Sequence, residues 1–134
     1  MRTPSHITYG LLVTALLLVS CRSYSDLGAG FKLYAYDRED VYVGYCFRDC
    51  DISSIMVIPP TVAALDHNAE WIVARTQNAT GEVGYWIVNK HIEAAFCYDC
   101  GFSDSVRANV RGPLGVAEFE SLLEAEDIAL SLGE

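Results

Sequence analysis

The stretch WIVARTQNATGEVGYWIVN, residues 71–89, decides the fold of this chain. Residues 71–76 and 83–89 are rich in β-branched and aromatic side chains, which favour strands. The six residues between them, 77–82, include Asn, Thr and Gly and have the composition of a hairpin loop. The stretch therefore predicts a β-hairpin.

Both faces of this hairpin are apolar, since Ile72 lies beside Val73 and Trp86 beside Ile87. Successive side chains of a strand point to opposite faces, so neither face is expected to meet water. We expect a sheet covered by a helix and a long loop, or a sheet that curls. Three aromatic side chains are expected to fill the core rather than to stack on a ligand: Trp71, Tyr85 and Trp86.

Further strands are predicted on both sides of the hairpin. Residues 31–36 and 41–47 form an expected hairpin around a polar turn, and 52–58 form a strand that ends at Pro59-Pro60, which cannot donate to a ladder. Residues 92–96 add a short strand. These segments predict a small antiparallel β-sheet of about five or six strands.

The last segment has the period of a helix rather than of a strand. Apolar side chains recur at three and four residues at Val116, Phe119, Leu122 and Leu123, and Gly115 is an acceptable N-cap. The predicted class is therefore α+β, with one C-terminal amphipathic helix packed on the sheet.

The N-terminal segment has an apolar run that is too short to span a bilayer and ends in Leu18-Val19-Ser20-Cys21. It resembles a bacterial lipoprotein signal peptide. The resemblance implies removal of residues 1–20, a diacylglycerol thioether on Cys21, and acylation of its amine, for example with palmitate. Several acyl chains attach a protein permanently to a membrane.

The same resemblance gives a location and a domain organisation. Arg22 stands where an aspartate would indicate inner-membrane retention, so we expect the outer membrane, facing the periplasm. Residues 21–30 would be the lipidated cysteine and a short tether, and residues 31–134 a single β-rich domain. The alternative is a plain secretory signal or membrane anchor in which Cys21 is incidental.

Four further cysteines occur as two close pairs: Cys46 with Cys50, and Cys97 with Cys100. An even number in an exported domain predicts disulfides, with three connectivities open. The alternative is a four-thiolate zinc site or a redox dithiol that uses the same residues.

The formal net charge of −9 bears on the partners of the chain. A nucleic-acid partner is not expected, because phosphate binding needs a basic patch. An acidic surface fits a basic protein, which it would steer electrostatically. The predicted anchors lie around the first polar turn: Tyr34, Tyr36, Asp37, Asp40 and Tyr42.

The sequence carries no catalytic motif that we recognise. After removal of the signal only His67 and His91 remain, and there is no Gly-x-Ser-x-Gly elbow, His-Glu-x-x-His helix or phosphate-binding glycine loop. We predict that the protein is not an enzyme. No cofactor and no small-molecule substrate is predicted.

Several blocks resemble a family of small uncharacterised bacterial lipoproteins of the domain-of-unknown-function type. The blocks are DLGAGFKL (26–33), IPPTV (58–62), WIVARTQ (71–77), YWIVNK (85–90) and SVRANVRGPL (105–114), with Phe119 in the helix. The resemblance implies an envelope lipoprotein with a small β-rich domain and brings no activity or catalytic residue. The leading hypothesis is a non-enzymatic protein-binding or envelope-associated module, of inhibitor or immunity type. The alternative is a zinc-binding or thiol-redox lipoprotein.

Overall fold

The computed structural model describes residues 23–46, 55–92 and 102–133. Within these residues the chain forms two four-stranded antiparallel sheets, here called sheet A and sheet B, in which the strands follow chain order. Sheet A contains β1 (Ser23–Gly28), β2 (Phe31–Ala35), β3 (Val41–Tyr45) and β4 (Ile55–Ile58). Sheet B contains β5 (Val62–His67), β6 (Trp71–Gln77), β7 (Val83–Asn89) and β8 (Val110–Leu114). Helices α1 (Phe102–Ala108) and α2 (Val116–Ala125) flank β8.

The β-rich class and the C-terminal helix are confirmed, but the expectation of one sheet with five or six strands is wrong. Eight strands form two separate sheets. The break falls between β4 and β5, at Pro59-Pro60, where the backbone lacks two ladder donors. The prolines therefore end one sheet, and the chain begins a second sheet after them.

The predicted central hairpin is confirmed as β6 and β7, which pair without a bulge from Trp71↔Asn89 to Gln77↔Val83. The strands predicted at 31–36, 41–47 and 52–58 correspond to β2, β3 and β4, with shorter bounds in the described residues. Most of the strand predicted at 92–96 lies outside the described residues. The sequence analysis missed four elements: β1, β5, β8 and α1.

The first missed strand changes the expected domain bounds. Residues 21–30 were expected to form a tether, whereas Ser23–Gly28 pairs with β2 as an edge strand of sheet A. The β1–β2 turn uses Gly28 and Gly30 at φ angles of 86° and 90°, which glycine adopts without strain. Residues 23–28 are therefore part of sheet A.

The main core lies between the two sheets. Phe31, Val43 and Ile58 of sheet A are fully buried against Ile72 and Val88 of sheet B. These side chains share one cluster, so the sheets pack face to face as in a β-sandwich.

A second, smaller core lies on the other face of sheet B. Phe119 of α2 packs there with Val73, Ile87 and Ile128. The N-cap of α2 is Gly115, as predicted. The order of layers is therefore sheet A, sheet B, α2. The apolar character of both faces of β6 and β7 follows, because a helix covers one face and sheet A covers the other.

The two ends of the sandwich differ in composition. At the Ser23 end, Ser23 pairs with Ala35, so the turn between β2 and β3 lies beside it. The hydroxyl of Thr61 donates to the carbonyl of Glu39 there, which links the start of sheet B to that turn. At the opposite end of β1, Leu27 approaches Lys90. No helix among the described residues is long and apolar enough to cross a membrane.

Candidate functional site

Four tyrosines from sheet A lie together on the side opposite the core, and we call them the tyrosine face: Tyr24, Tyr34, Tyr36 and Tyr42. Strand register brings them together, because Tyr24 pairs with Tyr34 and Tyr34 pairs with Tyr42. Tyr36 follows Tyr34 by two residues and so shares its side of the sheet. Alternation and register alone therefore account for the cluster.

The rings form a connected group centred on Tyr34. The centroid of the Tyr34 ring lies 5.2 Å from that of Tyr42, 6.2 Å from that of Tyr24 and 6.5 Å from that of Tyr36. The Tyr36 and Tyr42 rings are 6.0 Å apart and nearly parallel, at 25°. Aromatic pairs at these separations attract one another beyond their burial.

The tyrosines of this face differ in how much of each side chain is exposed. Tyr34 is only 8% exposed, whereas Tyr24 and Tyr36 are 60% and 56% exposed. Gly44 makes room for Tyr34, since a Cβ at position 44 would come within 2.8 Å of its ring. Tyr34 is therefore a fixed support beneath two tyrosines that face outward.

The acidic turn between β2 and β3 borders the tyrosine face, and we call Tyr36, Tyr42, Asp37 and Asp40 the acidic corner. One carboxylate oxygen of Asp37 accepts from the backbone N–H groups of Glu39 and Asp40, at 2.7 and 2.8 Å. Asp37 thus has a structural role in the turn that the sequence analysis did not predict. Asp37 follows Tyr36 directly in the chain, and its role as a partner-binding anchor stays a prediction.

The pKa of Tyr42 reflects its surroundings in the acidic corner. Burial raises the pKa of Tyr42 to about 12, with further contributions from a hydrogen bond to Tyr36 and from the charges of Tyr36, Tyr34 and Asp40. The phenol therefore stays neutral at physiological pH and is available to donate or accept hydrogen bonds.

A cation lies at the other side of the tyrosine face. The ammonium of Lys32 is 4.4 Å from the centroid of the Tyr24 ring, within the range of a cation–π contact. We call this pair the Tyr24–Lys32 rim. The face therefore runs from this rim, with Tyr24 on β1 and Lys32 on β2, to the acidic corner at the β2–β3 turn.

The structure brings together all five residues predicted as partner-binding anchors, and it adds two that the sequence analysis missed, Tyr24 and Lys32. Tyr24 was missed because SYSD was interpreted as part of a tether, although its alternation of small and larger side chains is compatible with an edge strand. Lys32 is identified only by the register of β1 and β2, which sequence does not reveal.

A second polar arrangement lies at the opposite end of the sandwich. The buried ammonium of Lys90 donates to the carbonyls of Leu27 and Asn68 and lies 3.3 Å from Nδ1 of His67. Burial lowers the pKa of Lys90, and the charge of Asp26 partly opposes that shift. Because its contacts come from both sheets, Lys90 acts as a clamp between them.

Trp86 belongs to the main core and also borders a small cleft. Its Nε1 donates to Thr76 Oγ1 at 2.9 Å, and the residue is 9% exposed within the main core. The cleft beside it has a volume of about 230 Å³ and is lined in part by Pro60 and Pro113. Trp71 and Tyr85 pack against the second core. The prediction of a core position is confirmed for Trp86, whereas Trp71 and Tyr85 are only partly buried against the second core.

The cysteine predictions fall mostly outside the described residues. Cys46 is buried at the end of β3 and takes part in a disulfide. A sulfur in a disulfide is not the thiolate that zinc requires. Cys21, Cys50, Cys97 and Cys100 lie outside the described residues, so the connectivity and the lipid anchor stay predictions.

Comparisons of the chain with protein-family models, curated proteins and solved structures find no match. In the part of the chain that the structure describes, no group of three or more His, Cys, Asp or Glu side chains is arranged to hold a metal ion.

Proposed function

We propose that this protein is a lipid-anchored lipoprotein of the bacterial cell envelope that binds another protein without catalysis, as an inhibitor or immunity module does. The observation that carries the proposal is the tyrosine face, in which two exposed tyrosines stand on a buried one beside an acidic turn. Cys21 would hold the protein on the outer membrane, facing the periplasm.

The chemistry of this face favours a protein partner. Tyrosine is enriched among residues that dominate binding energy, because it combines a large apolar area with a hydroxyl and few rotatable bonds. Tyr36 is held by ring contacts to Tyr34 and Tyr42, so little conformational entropy remains to be lost on binding.

The charge of the acidic corner favours a basic partner. Asp40 influences Tyr42 electrostatically, and the formal net charge of the chain is −9. Complementary charge raises association rates and gives specificity, while the exposed tyrosines supply affinity when the partner buries them. A cationic envelope enzyme or toxin would match this arrangement.

Binding to a panel of basic muramidases and nuclease toxins, measured by surface plasmon resonance, tests the proposal. The sample is the exported, oxidised chain with Cys21→Ser. For a partner found in the panel, we expect Tyr36→Ala to weaken binding by roughly 2 kcal/mol, as at a hot spot. Asp40→Asn should mainly slow association, and added salt should do the same.

Asp104→Asn is the matched control, since Asp104 is an exposed acid in α1 outside the tyrosine face. A partner that is unaffected by Tyr36→Ala and Asp40→Asn would show that the face is not the binding site. Binding that does not respond to salt would remove the electrostatic part of the proposal.

A further inference from the structure

The proposed lipid on Cys21 is very close to the tyrosine face along the chain, because β1 already begins at Ser23. Two residues of fully extended chain span about 7 Å, and three span about 11 Å. Tyr24 is therefore held within about 11 Å of Cys21 whatever path the chain takes. Since the acyl chains lie in the hydrocarbon, the cysteine backbone lies at the level of the headgroups.

The short connection also determines which end of the sandwich lies nearer to Cys21 along the chain. Ser23 pairs with Ala35, so the Ser23 end carries the β2–β3 turn and the acidic corner. Leu27 and Lys90 mark the opposite end, and β1, a six-residue strand, separates the two by roughly 17 Å. The Ser23 end is therefore the one that an anchor on Cys21 would hold closer to the bilayer.

The part of the tyrosine face nearest to Cys21 has the chemistry of a lipid contact. Tyr24 is 60% exposed, and tyrosine is enriched at membrane interfaces, where its ring meets the acyl boundary and its hydroxyl meets water. The Lys32 ammonium over the Tyr24 ring supplies a cation for a lipid phosphate. Lys32 is the cation of this rim, and its cross-strand partner is the exposed acid Asp26, whose carboxylate accepts from the backbone N–H of Gly28.

We propose that the Tyr24–Lys32 rim rests on the phospholipid headgroups of the membrane that holds Cys21, with Lys32 directed to phosphate. The inference rests on the lipid anchor of the proposed function. It adds an orientation to that function, because the acidic corner then lies at the membrane surface. A basic partner has to reach the corner there rather than in free solution.

Fluorescence quenching in vesicles tests this orientation. The full chain with its own signal is produced in a bacterium, and the acylated product is reconstituted into phosphatidylethanolamine–phosphatidylglycerol vesicles that contain brominated lipids. Tyr24→Trp places a reporter on the rim. Ala69→Trp is the matched control, because Ala69 is exposed in the β5–β6 turn at the Lys90 end. The signal of Trp71 and Trp86 is subtracted with the parent chain.

We expect the tryptophan at position 24 to be quenched several-fold more than the one at position 69. Adding Lys32→Gln should reduce the quenching at position 24, and a twelve-residue Gly/Ser insert after Arg22 should reduce it further, since such an insert reaches about 20 Å. Equal quenching at positions 24 and 69, strong or weak, would overturn the orientation. The orientation would also be overturned if a basic protein, and not the vesicles, changed the fluorescence of the tryptophan at position 24.

Mass spectrometry of the same sample separates the two proposals. A diacylglycerol adduct on Cys21 with no preferential quenching at position 24 overturns the inference and leaves the anchored function standing. An unmodified Cys21 contradicts the anchor and, with it, the inference. Because protein binding is measured on the Cys21→Ser chain, that part of the proposed function is judged independently of both results.

Discussion

Sheet B is covered on both faces, whereas sheet A has one face in the core and carries tyrosines on the other. β6 and β7 accordingly have apolar side chains at successive positions, such as Ile72 and Val73, which face different cores. β2 instead alternates, with Phe31 toward the core and Lys32 and Tyr34 on the other side. Sheet B therefore contributes both of its faces to the core, whereas sheet A contributes one face and leaves the tyrosines on the other.

The largest effect is expected where the two sheets meet. Phe31 is fully buried between them, so Phe31→Ala should lower the free energy of unfolding by about 4–5 kcal/mol through lost burial and a residual cavity. Urea unfolding measures this loss. Val83→Ala, at a half-exposed position of β7, serves as the control and should change stability by less than about 1 kcal/mol. If Phe31→Ala lowered the free energy of unfolding by less than about 1 kcal/mol, as the control does, the two sheets would not share one core.

A somewhat smaller effect is expected on the other face of sheet B. Phe119 packs with its ring 4.9 Å from that of Tyr85, and Phe119→Ala should cost about 3–4 kcal/mol. The cost is smaller because the C-terminal segment around Ile128 is able to settle into the cavity. Val116→Ala on the exposed side of α2 is the matched control. If Phe119→Ala lowered the free energy of unfolding as much as Phe31→Ala does, packing of α2 on sheet B would stabilise the fold as much as packing of sheet A does.

The clamp between the sheets should give an intermediate effect. Lys90→Met keeps the buried stem but leaves the carbonyls of Leu27 and Asn68 without their donor, and should cost about 2–3 kcal/mol. Lys32→Met, at the partly buried rim, is the control and should cost no more than about 1 kcal/mol, the size of its cation–π contact with Tyr24. Equal losses for the two variants would show that Lys90 does not join the sheets.

The pH dependence gives a second test of the clamp. Burial lowers the pKa of Lys90, so the unfolded chain holds the proton more strongly than the folded one. Between the lowered pKa and the ordinary value of 10.5, stability of the parent relative to Lys90→Met should therefore rise with pH. Urea unfolding across that range measures the difference in free energy of unfolding between the parent and Lys90→Met. A difference that falls with pH would contradict the assigned burial of the ammonium.

The sequence predicts the central strands of both sheets well and misses three edge strands, for a physical reason. The composition of residues 71–89 alone predicts a hairpin that is buried on both faces, and the helical period of α2 predicts which of its sides packs on the sheet. β1, β5 and β8 lie at sheet edges, contain polar residues or Gly112-Pro113, and form strands by pairing with one neighbour each. Tyr34, Tyr36 and Tyr42 were found because they lie close along the chain, whereas Tyr24, Lys32 and Lys90 depend on tertiary register.

The smallest expected effect concerns the outer face of sheet A. Because Tyr42 has a pKa of about 12, the folded state keeps a proton that the unfolded chain releases above its usual pKa of 10.0. The stability that Tyr42 contributes should therefore be complete below pH 10 and be lost as pH rises from 10 toward 12. Tyr42→Phe removes this loss, so the parent should lose stability more steeply than the variant over that interval. The difference between the two, followed by urea unfolding, should stay constant from pH 7 to pH 9 and shrink only above pH 10. A constant difference throughout would mean that the fold does not favour the neutral form of Tyr42, and the burial and hydrogen bond assigned to its phenol in the acidic corner would then be wrong.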